Sequence, residues 1–475
     1  MDVAFPAAML VNDIHSRLHP THVSGIERPR SLEALQGQIQ RAAREGRSLA
    51  VAGGRHAMGG QQFGANGLLL DMGGLDRILS LDRDRGHLEV EAGIQWPALV
   101  AGYLRLQAGS ERAFGIAQKQ TGADRLSIGG AVSANVHGRG LDRGPLVADV
   151  ESLVLVDASG EPRRCSRTEE PELFRLAAGG YGLFGALYAA TLRLVPRAKV
   201  RRDVLILSTD ELASAFAGRI ADGYLYGDFQ FAIDERSDDF LRRGVFSCYR
   251  PVDPATPVSA QRGLTEADWR ELLYLAHTDK SEGFRRYAEY YQASDGRIDW
   301  ADTQQLGVYL DDYHSELDAR LGSAHPATEV ITEIYVPRER LHDLFEEVRE
   351  DFRRHAVDLI YGTVRLIRRD EETFLPWARG DWACVVFNLH TVHTPAGIDR
   401  SARAFRRLID MALLRGGSYY LTYHRYATRE QVLAGHPRIP AFLRAKLRHD
   451  QGELFQSEWY RHHRALLAAE VAGAV

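Results

Sequence analysis

Residues 121–140 constrain this chain more than any other stretch: TGADRLSIGGAVSANVHGRG holds five glycines and several small residues around His137 and Arg139. Backbone that must touch a ligand along its length needs such residues. A diphosphate fits the description, with Gly129 and Gly130 opening a small-residue segment whose N–H groups would meet anionic oxygens. His137 and Arg139, alternate residues on an extended stretch, are expected to project in the same direction. Taken alone, a glycine-rich stretch is as readily a turn or a close packing contact.

A second stretch upstream sharpens the signal. Residues 31–45 carry Leu32, Leu35, Ile39, Ala42 and Ala43 at helical spacing, with Ser31 as a cap and Gly46 as a stop. A short apolar strand over residues 48–52 then runs into Gly53-Gly54-Arg55-His56-Ala57-Met58-Gly59-Gly60-Gln61, four glycines in nine residues. A loop of this kind after a buried strand can converge its N–H groups on phosphate oxygens. Neither stretch has the lysine-bearing phosphate-loop pattern or the dinucleotide fingerprint at its required spacing, which counts against a nucleotide triphosphatase or Rossmann domain.

Composition bounds the partners. A chain of 475 residues, 45% apolar and 26% charged, buries a large core and is expected to divide into two or three domains. Its net charge of −5 gives no global attraction to nucleic acid or to an anionic membrane. Cys165, Cys248 and Cys384 lie far apart and match no metal-ligand or disulfide spacing. Residues 1–18 lack the order of a signal peptide and no run of eighteen apolar residues occurs, so a cytoplasmic location is expected and membrane contact is not indicated.

Further along, residues 68–72 and 87–92 read as strands, the second alternating Leu88, Val90 and Ala92 against His87, Glu89 and Glu91. Residues 152–156 and 163–166 form a hairpin signal around Asp157-Ala158-Ser159-Gly160, and 172–178 reads as a short helix. Gly179-Gly180-Tyr181-Gly182-Leu183-Phe184-Gly185 precedes a strand over 186–195 closed by Pro196.

These four marks together resemble the vanillyl-alcohol-oxidase/p-cresol-methylhydroxylase type of FAD-linked oxidoreductase: the Gly-Gly-Arg-His loop, the Ser-Ile-Gly-Gly to His-Gly stretch, the strand with Asp-Ala-Ser-Gly, and Gly-Gly-Tyr-Gly-Leu-Phe-Gly before Thr191-Leu192-Arg193-Leu194-Val195-Pro196. The resemblance covers residues 20–200 and implies an α+β protein with a two-lobed FAD-binding domain. FAD would extend between the lobes, held by Gly53, Gly54, Arg55, His56, Ala57, Met58, Gly59, Gly122, Ser127, Ile128, Gly129, Gly130, Asn135, His137, Ala186 and Tyr420. His56 falls where many members bond a histidine to the flavin 8α-methyl carbon; a His56 that only hydrogen-bonds the loop is the alternative.

Beyond Pro196, the four basic residues within 197–202 read as a solvated link to a substrate domain over residues 203–415. Strands near 204–207, 227–233, 330–336 and 383–389 alternate with helices near 337–355 and 400–415, which suggests an antiparallel sheet with helices on one face. Residues 261–325 are polar, aromatic and helical, with Tyr287, Tyr290, Tyr291, Trp300, Tyr309 and Tyr313. They read as an amphipathic surface pair, a cap over the site being the alternative. The resemblance implies that residues 416–465 return to the first domain.

Within the family, the match is to the decaprenylphosphoryl-ribose 2'-oxidases, then the alditol and aldonolactone oxidases. Tyr420, Leu421 and Thr422 match the tail pattern, while Tyr423 and His424 stand where Lys-Asp would be. Arg139 replaces a lysine, Glu333 a glutamine, Cys384 matches a pocket cysteine, and Arg365 resembles an arginine beside the flavin ring. A surface arginine, a strand-face acid and a buried small hydrophobe are the ordinary readings of Arg365, Glu333 and Cys384.

The implied chemistry is oxidation of a CH–OH group on a sugar-like or polyol substrate, with hydride passing to flavin N5 and oxygen or another acceptor reoxidising the flavin. Tyr423, His424 and His390 are candidate proton acceptors, a tyrosinate requiring a lowered pKa, and Arg139 or Arg365 would supply positive field. A double-bond reductase using NADPH, as in the sterol Δ24-reductases, and a binding protein that has lost its flavin are the alternatives.

Overall fold

The computed structural model describes residues 9–261, 263–308 and 310–472, so Tyr309 and the first eight residues of the N-terminal stretch lie outside the described residues. Near the N-terminus, strands Gly25–Glu27, Leu49–Ala52 and Leu68–Asp71 form a three-stranded parallel sheet. Parallel strands need a covering crossover, and helix Leu32–Arg44 supplies it, burying Leu35, Ile39 and Ala42, with the Ser31 hydroxyl capping the Ala34 amide. Strands Ile78–Asp82, His87–Glu91, Val150–Val156, Pro162–Ser166 and Ala186–Arg193 form a five-stranded antiparallel sheet. The Asp157–Gly160 turn makes the expected hairpin, its Asp157 carboxylate accepting from the Ser159 and Glu161 amides.

The largest sheet is antiparallel and eight-stranded, running from Ile298–Trp300 at one edge through Lys199–Ser208, Arg243–Val252, Tyr226–Phe231, Leu359–Ile367, Trp382–Val392 and Ala327–Pro337 to Ser418–Tyr419. The chain is therefore α+β, with the antiparallel sheet covered by helices. The solvated link expected at residues 197–202 is instead the start of this sheet. Arg201 pairs across to Arg250, Arg202 is buried against Tyr249 and Tyr291, and Arg197 stacks on Trp300 while bonding Asp302. Cation–π contact with a tyrosine cluster lets an arginine stay buried that hydropathy alone would send to water.

Helices cover both faces of this sheet, where one was expected. Phe352, from helix Leu341–Arg354, packs edge-on against Phe387. The opposite face carries Cys384, Val386 and Asn388, and there the helices Glu266–Thr278 and Lys280–Ala293 roof a chamber with Trp269, Leu272, Leu273 and Tyr287. Residues 266–293 thus cover a chamber on this face, where an ordinary surface pair was expected. Among the described residues no helix is long and apolar enough to cross a membrane.

Candidate functional site

The two glycine stretches touch each other. A Cβ on Gly53 would stand 2.0 Å from Ser127 Oγ, and one on Gly54 would stand 2.2 Å from the Arg125 carbonyl oxygen. Only residues without side chains allow that approach. Together the stretches line a cavity with about 1600 Å³ of space free of protein atoms, part of it open to solvent. Gly53, Gly54, Arg55, His56, Ala57, Gly122, Ser127, Gly129, Gly130 and Tyr420 are on its wall, and so are Glu333, Arg365 and Tyr423.

The donors are not those expected. In the second stretch Ser127 caps the short helix Ile128–Ser133, and the Ile128, Gly129 and Gly130 amides are already spent on Ile94 O, Ala92 O and Ser127 Oγ. In the first loop, the amides of Gly54, Arg55 and Ala57 donate to no acceptor among the described residues. The three residues are half-buried on the cavity wall, and the oxygens of a diphosphate fit as acceptors for their amides. Met58 and Gly59 lie behind the wall, both donating to the Thr422 carbonyl, so they tie the loop to the C-terminal segment.

The His56 ring lies on the cavity wall with His15 Nε2 2.7 Å from its Nδ1. Burial lowers the His56 pKa to about 4, which keeps the imidazole neutral at physiological pH.

At the other end, sheet register assembles the polar group. Arg365 is level with Cys384, which is level with Tyr335; Thr363, Val386 and Glu333 form the next row, and Tyr361 and Ile331 flank Asn388 in the one after. Alternate residues on adjacent strands share a face, so Glu333, Arg365 and Cys384 converge. The Tyr420 amide donates to the Glu333 carbonyl, and the chain then turns so that the Tyr423 hydroxyl donates to Glu333 Oε1 at 3.1 Å. Glu333 Oε2 accepts from Tyr335 at 2.9 Å, with His137 Nε2 3.1 Å away and the Cys384 thiol 3.6 Å beyond it.

Burial works to raise the Glu333 pKa, but His137, Arg365 and the Tyr335 hydroxyl outweigh it and hold the carboxyl below its ordinary value. Burial pushes the Tyr423 phenol well above its ordinary value, and the Glu333 charge adds to this. Tyr423 is therefore a neutral phenol, not the tyrosinate considered from sequence. Burial opposes the Arg365 charge, yet Tyr361 and Glu333 keep its pKa raised. Its Nε and Nη1 hydrogens find no acceptor among the described residues, which suits a group aimed at a ligand.

Other expected residues sit elsewhere. Arg139 does not project with His137: its guanidinium meets Asp228, Tyr249 and Gln304, away from the cavity wall. His424 stacks flat on Phe405 with Nε2 3.1 Å from the Thr332 hydroxyl, and burial lowers its pKa to about 3, so it does not face the cavity as a base. His390 approaches Glu329, further along the sheet. Asn135 bonds Asp370 and the Val147 amide, supporting the stretch from behind; Ile128 and Ala186 are core residues, and neither they nor Asn135 line the cavity. Sequence reasoning missed Tyr361, Asn388 and Gln120 on the wall. Tyr361 was within reach of inference, because it sits an even number of residues from Arg365 on one strand.

Comparison with known proteins agrees with this cavity. Residues 23–166 match the family described as FAD binding domain. An uncharacterized oxidoreductase, ORF5 in the fasciation locus of Rhodococcoides fascians, is 33% identical over 166 residues, 35% of this chain and 36% of that protein. The L-gulonolactone oxidase of Bos taurus is 29% identical over 170 residues, 36% and 37% of the two chains. An L-gulono-1,4-lactone dehydrogenase of Mycobacterium tuberculosis is 23% identical over 442 residues, 92% and 95% of the two chains. The matches to the first two span about a third of those relatives' own length. FAD is the cofactor of this domain.

Proposed function

Since the chain belongs with the FAD-linked oxidoreductases that share this domain, we propose that it oxidises a CH–OH group of a sugar-like or polyol substrate. One observation carries the reading: the Tyr423–Glu333 pair and Arg365 stand on the wall of the same cavity as the two glycine stretches. The names of the lactone oxidase and dehydrogenase relatives agree with a sugar-like substrate.

Bound FAD would supply the two-electron, hydride-accepting chemistry. Gly54, Arg55 and Ala57 would offer their amides to the diphosphate, and His56, on the same wall, would be available for a link to the flavin. The substrate hydroxyl would be held by the Tyr423 oxygen. As that hydroxyl gives up its proton to Tyr423, the phenol proton passes to Glu333 Oε1, so the acceptor is a carboxylate and the tyrosine a relay. Arg365 provides the fixed positive charge beside the reacting centre. His137 and Tyr335 hold Glu333 in place and ionised.

Anaerobic mixing of the holoprotein with aldonolactones, alditols and aldoses, followed by flavin absorbance, tests this. Bleaching with at least one hydroxyl donor is expected. Bleaching by NADPH and by no hydroxyl donor would overturn it in favour of a reductase.

A further inference from the structure

The sheet face that carries Glu333 continues past the cavity to a second buried carboxylate. Glu329 lies two even steps before Glu333 on strand Ala327–Pro337 and is level with His390 on Trp382–Val392, so both side chains share that face. Two covering helices each bring a histidine to it. His277 comes from the last turn of Glu266–Thr278 and His314 from the first turn of Tyr313–Leu321.

His277 Nε2 is 3.2 Å and His390 Nδ1 3.5 Å from Glu329 Oε1, while His314 Nδ1 is 3.0 Å from Oε2. The side chains of Glu329, His277 and His314 are 2%, 3% and 6% exposed. Despite these separations, the nitrogens His277 Nε2, His314 Nδ1 and His390 Nδ1 are buried and make no well-aligned hydrogen bond among the described residues. Nitrogens that crowd an oxygen without hydrogen-bond alignment stand as ligands do around a common centre, each aimed at the ion and not at its neighbour. Bonds of about 2.0–2.1 Å in a tetrahedron give ligand separations of about 3.3 Å, and two of the observed separations lie beside that value.

We propose that His277, Glu329 and His390 bind a divalent transition-metal ion of the zinc class, fastening the covering helix Glu266–Thr278 to the sheet. Glu329 Oε1 is the oxygen that faces both histidines, and the Tyr313 hydroxyl, donating to Oε2 at 2.7 Å, orients the carboxylate from behind together with His314. Two imidazole nitrogens and one carboxylate select zinc, cobalt or nickel over calcium or magnesium, which prefer all-oxygen shells. The ligands come from one helix and two strands, so the ion would cross-link elements that otherwise meet through side chains alone. The other cluster of metal-ligating types is His137, Glu333 and Cys384, in which Glu333 is the residue on the wall of the cavity already described.

The test uses untagged holoprotein dialysed against EDTA and titrated with Zn2+ by calorimetry. Uptake of about one Zn2+ per chain is expected, at least tenfold weaker in His277→Gln and lost in Glu329→Gln. Zn2+ should also raise the melting temperature of the parent protein and leave that of Glu329→Gln unchanged. If a variant folds poorly, the parent protein carries the test alone: Co2+ should give the intense ligand-field bands of a tetrahedral site, to the red of flavin absorption. Failure of the parent protein to take up Zn2+ or Co2+, or uptake undiminished in both folded variants, would overturn the proposal and leave the four side chains as a hydrogen-bonding cluster.

Discussion

Tyr423 donates to Glu333 Oε1 across 3.1 Å, joining the C-terminal segment to strand Ala327–Pro337 of the large sheet at the cavity wall. The pair combines a phenol whose pKa is raised by burial with a carboxyl whose pKa is lowered by its neighbours. A proton can move from the first to the second only when something replaces it on the phenol, which is the position a substrate hydroxyl would take.

Glu333→Gln keeps the shape of the side chain and removes the proton acceptor. Flavin content should be unchanged and the rate of flavin reduction should fall by about 10²–10⁴-fold, the usual worth of a general base. Rapid mixing of the variant with a substrate that bleaches the parent protein checks this; an unchanged rate would remove Glu333 from the reaction.

The pH dependence follows from the same carboxyl. Its folded pKa lies below the unfolded value, so the stability it contributes is present above the ordinary carboxylate range and is lost as pH falls through the lower folded value. The reduction rate should fall on the same acid limb, and the limb should be absent in Glu333→Gln. A pH profile of reduction in the two proteins gives the comparison.

Arg365→Met removes a buried positive charge whose Nε and Nη1 have no protein acceptor among the described residues. The flavin midpoint potential should shift to more negative values, and reduction should slow by about 10²–10³-fold, as for loss of one preorganised donor. A redox titration reads the first effect without any substrate.

Gly54→Ala places a Cβ 2.2 Å from the Arg125 carbonyl oxygen, and backbone cannot swing aside as a side chain can. The two glycine stretches should separate, with a stability cost of about 1–3 kcal/mol and at least a tenfold fall in FAD retained through gel filtration. The flavin-to-protein absorbance ratio and the melting temperature measure the two effects.

His56 is neutral by burial, its Nδ1 paired with His15. A neutral imidazole has the lone pair needed to bond the flavin 8α carbon, so acid precipitation should leave yellow flavin in the pellet. His56→Ala should release it to the supernatant. Release from the parent protein would show that the histidine only hydrogen-bonds the loop.

Much of the first domain was legible because its signals are local. Glycines that admit close backbone approach sit next to one another in sequence, and the helix with Ser31 at its cap and the hairpin around Asp157–Gly160 each depend on a few adjacent residues. The donor assignment was not legible: whether the Gly129 amide is free depends on Ala92, far upstream, whose carbonyl takes it. The fate of residues 197–202 was hidden for a similar reason. A basic run looks solvated until Trp300 and Tyr249 are folded over it.

By itself, then, the sequence determined that two glycine-bearing stretches exist, that an FAD domain is built around them, and which residue types were available for the chemistry. Tertiary structure decided which of those residues meet. Glu333, Arg365 and Tyr423 converge through strand register and the path of the returning tail, while Arg139 and His424, as good on paper, are turned toward Tyr249 and Phe405. Side-chain direction on a strand depends on pairing with strands distant in sequence, and that pairing is set by the burial of the whole sheet, which no short stretch encodes.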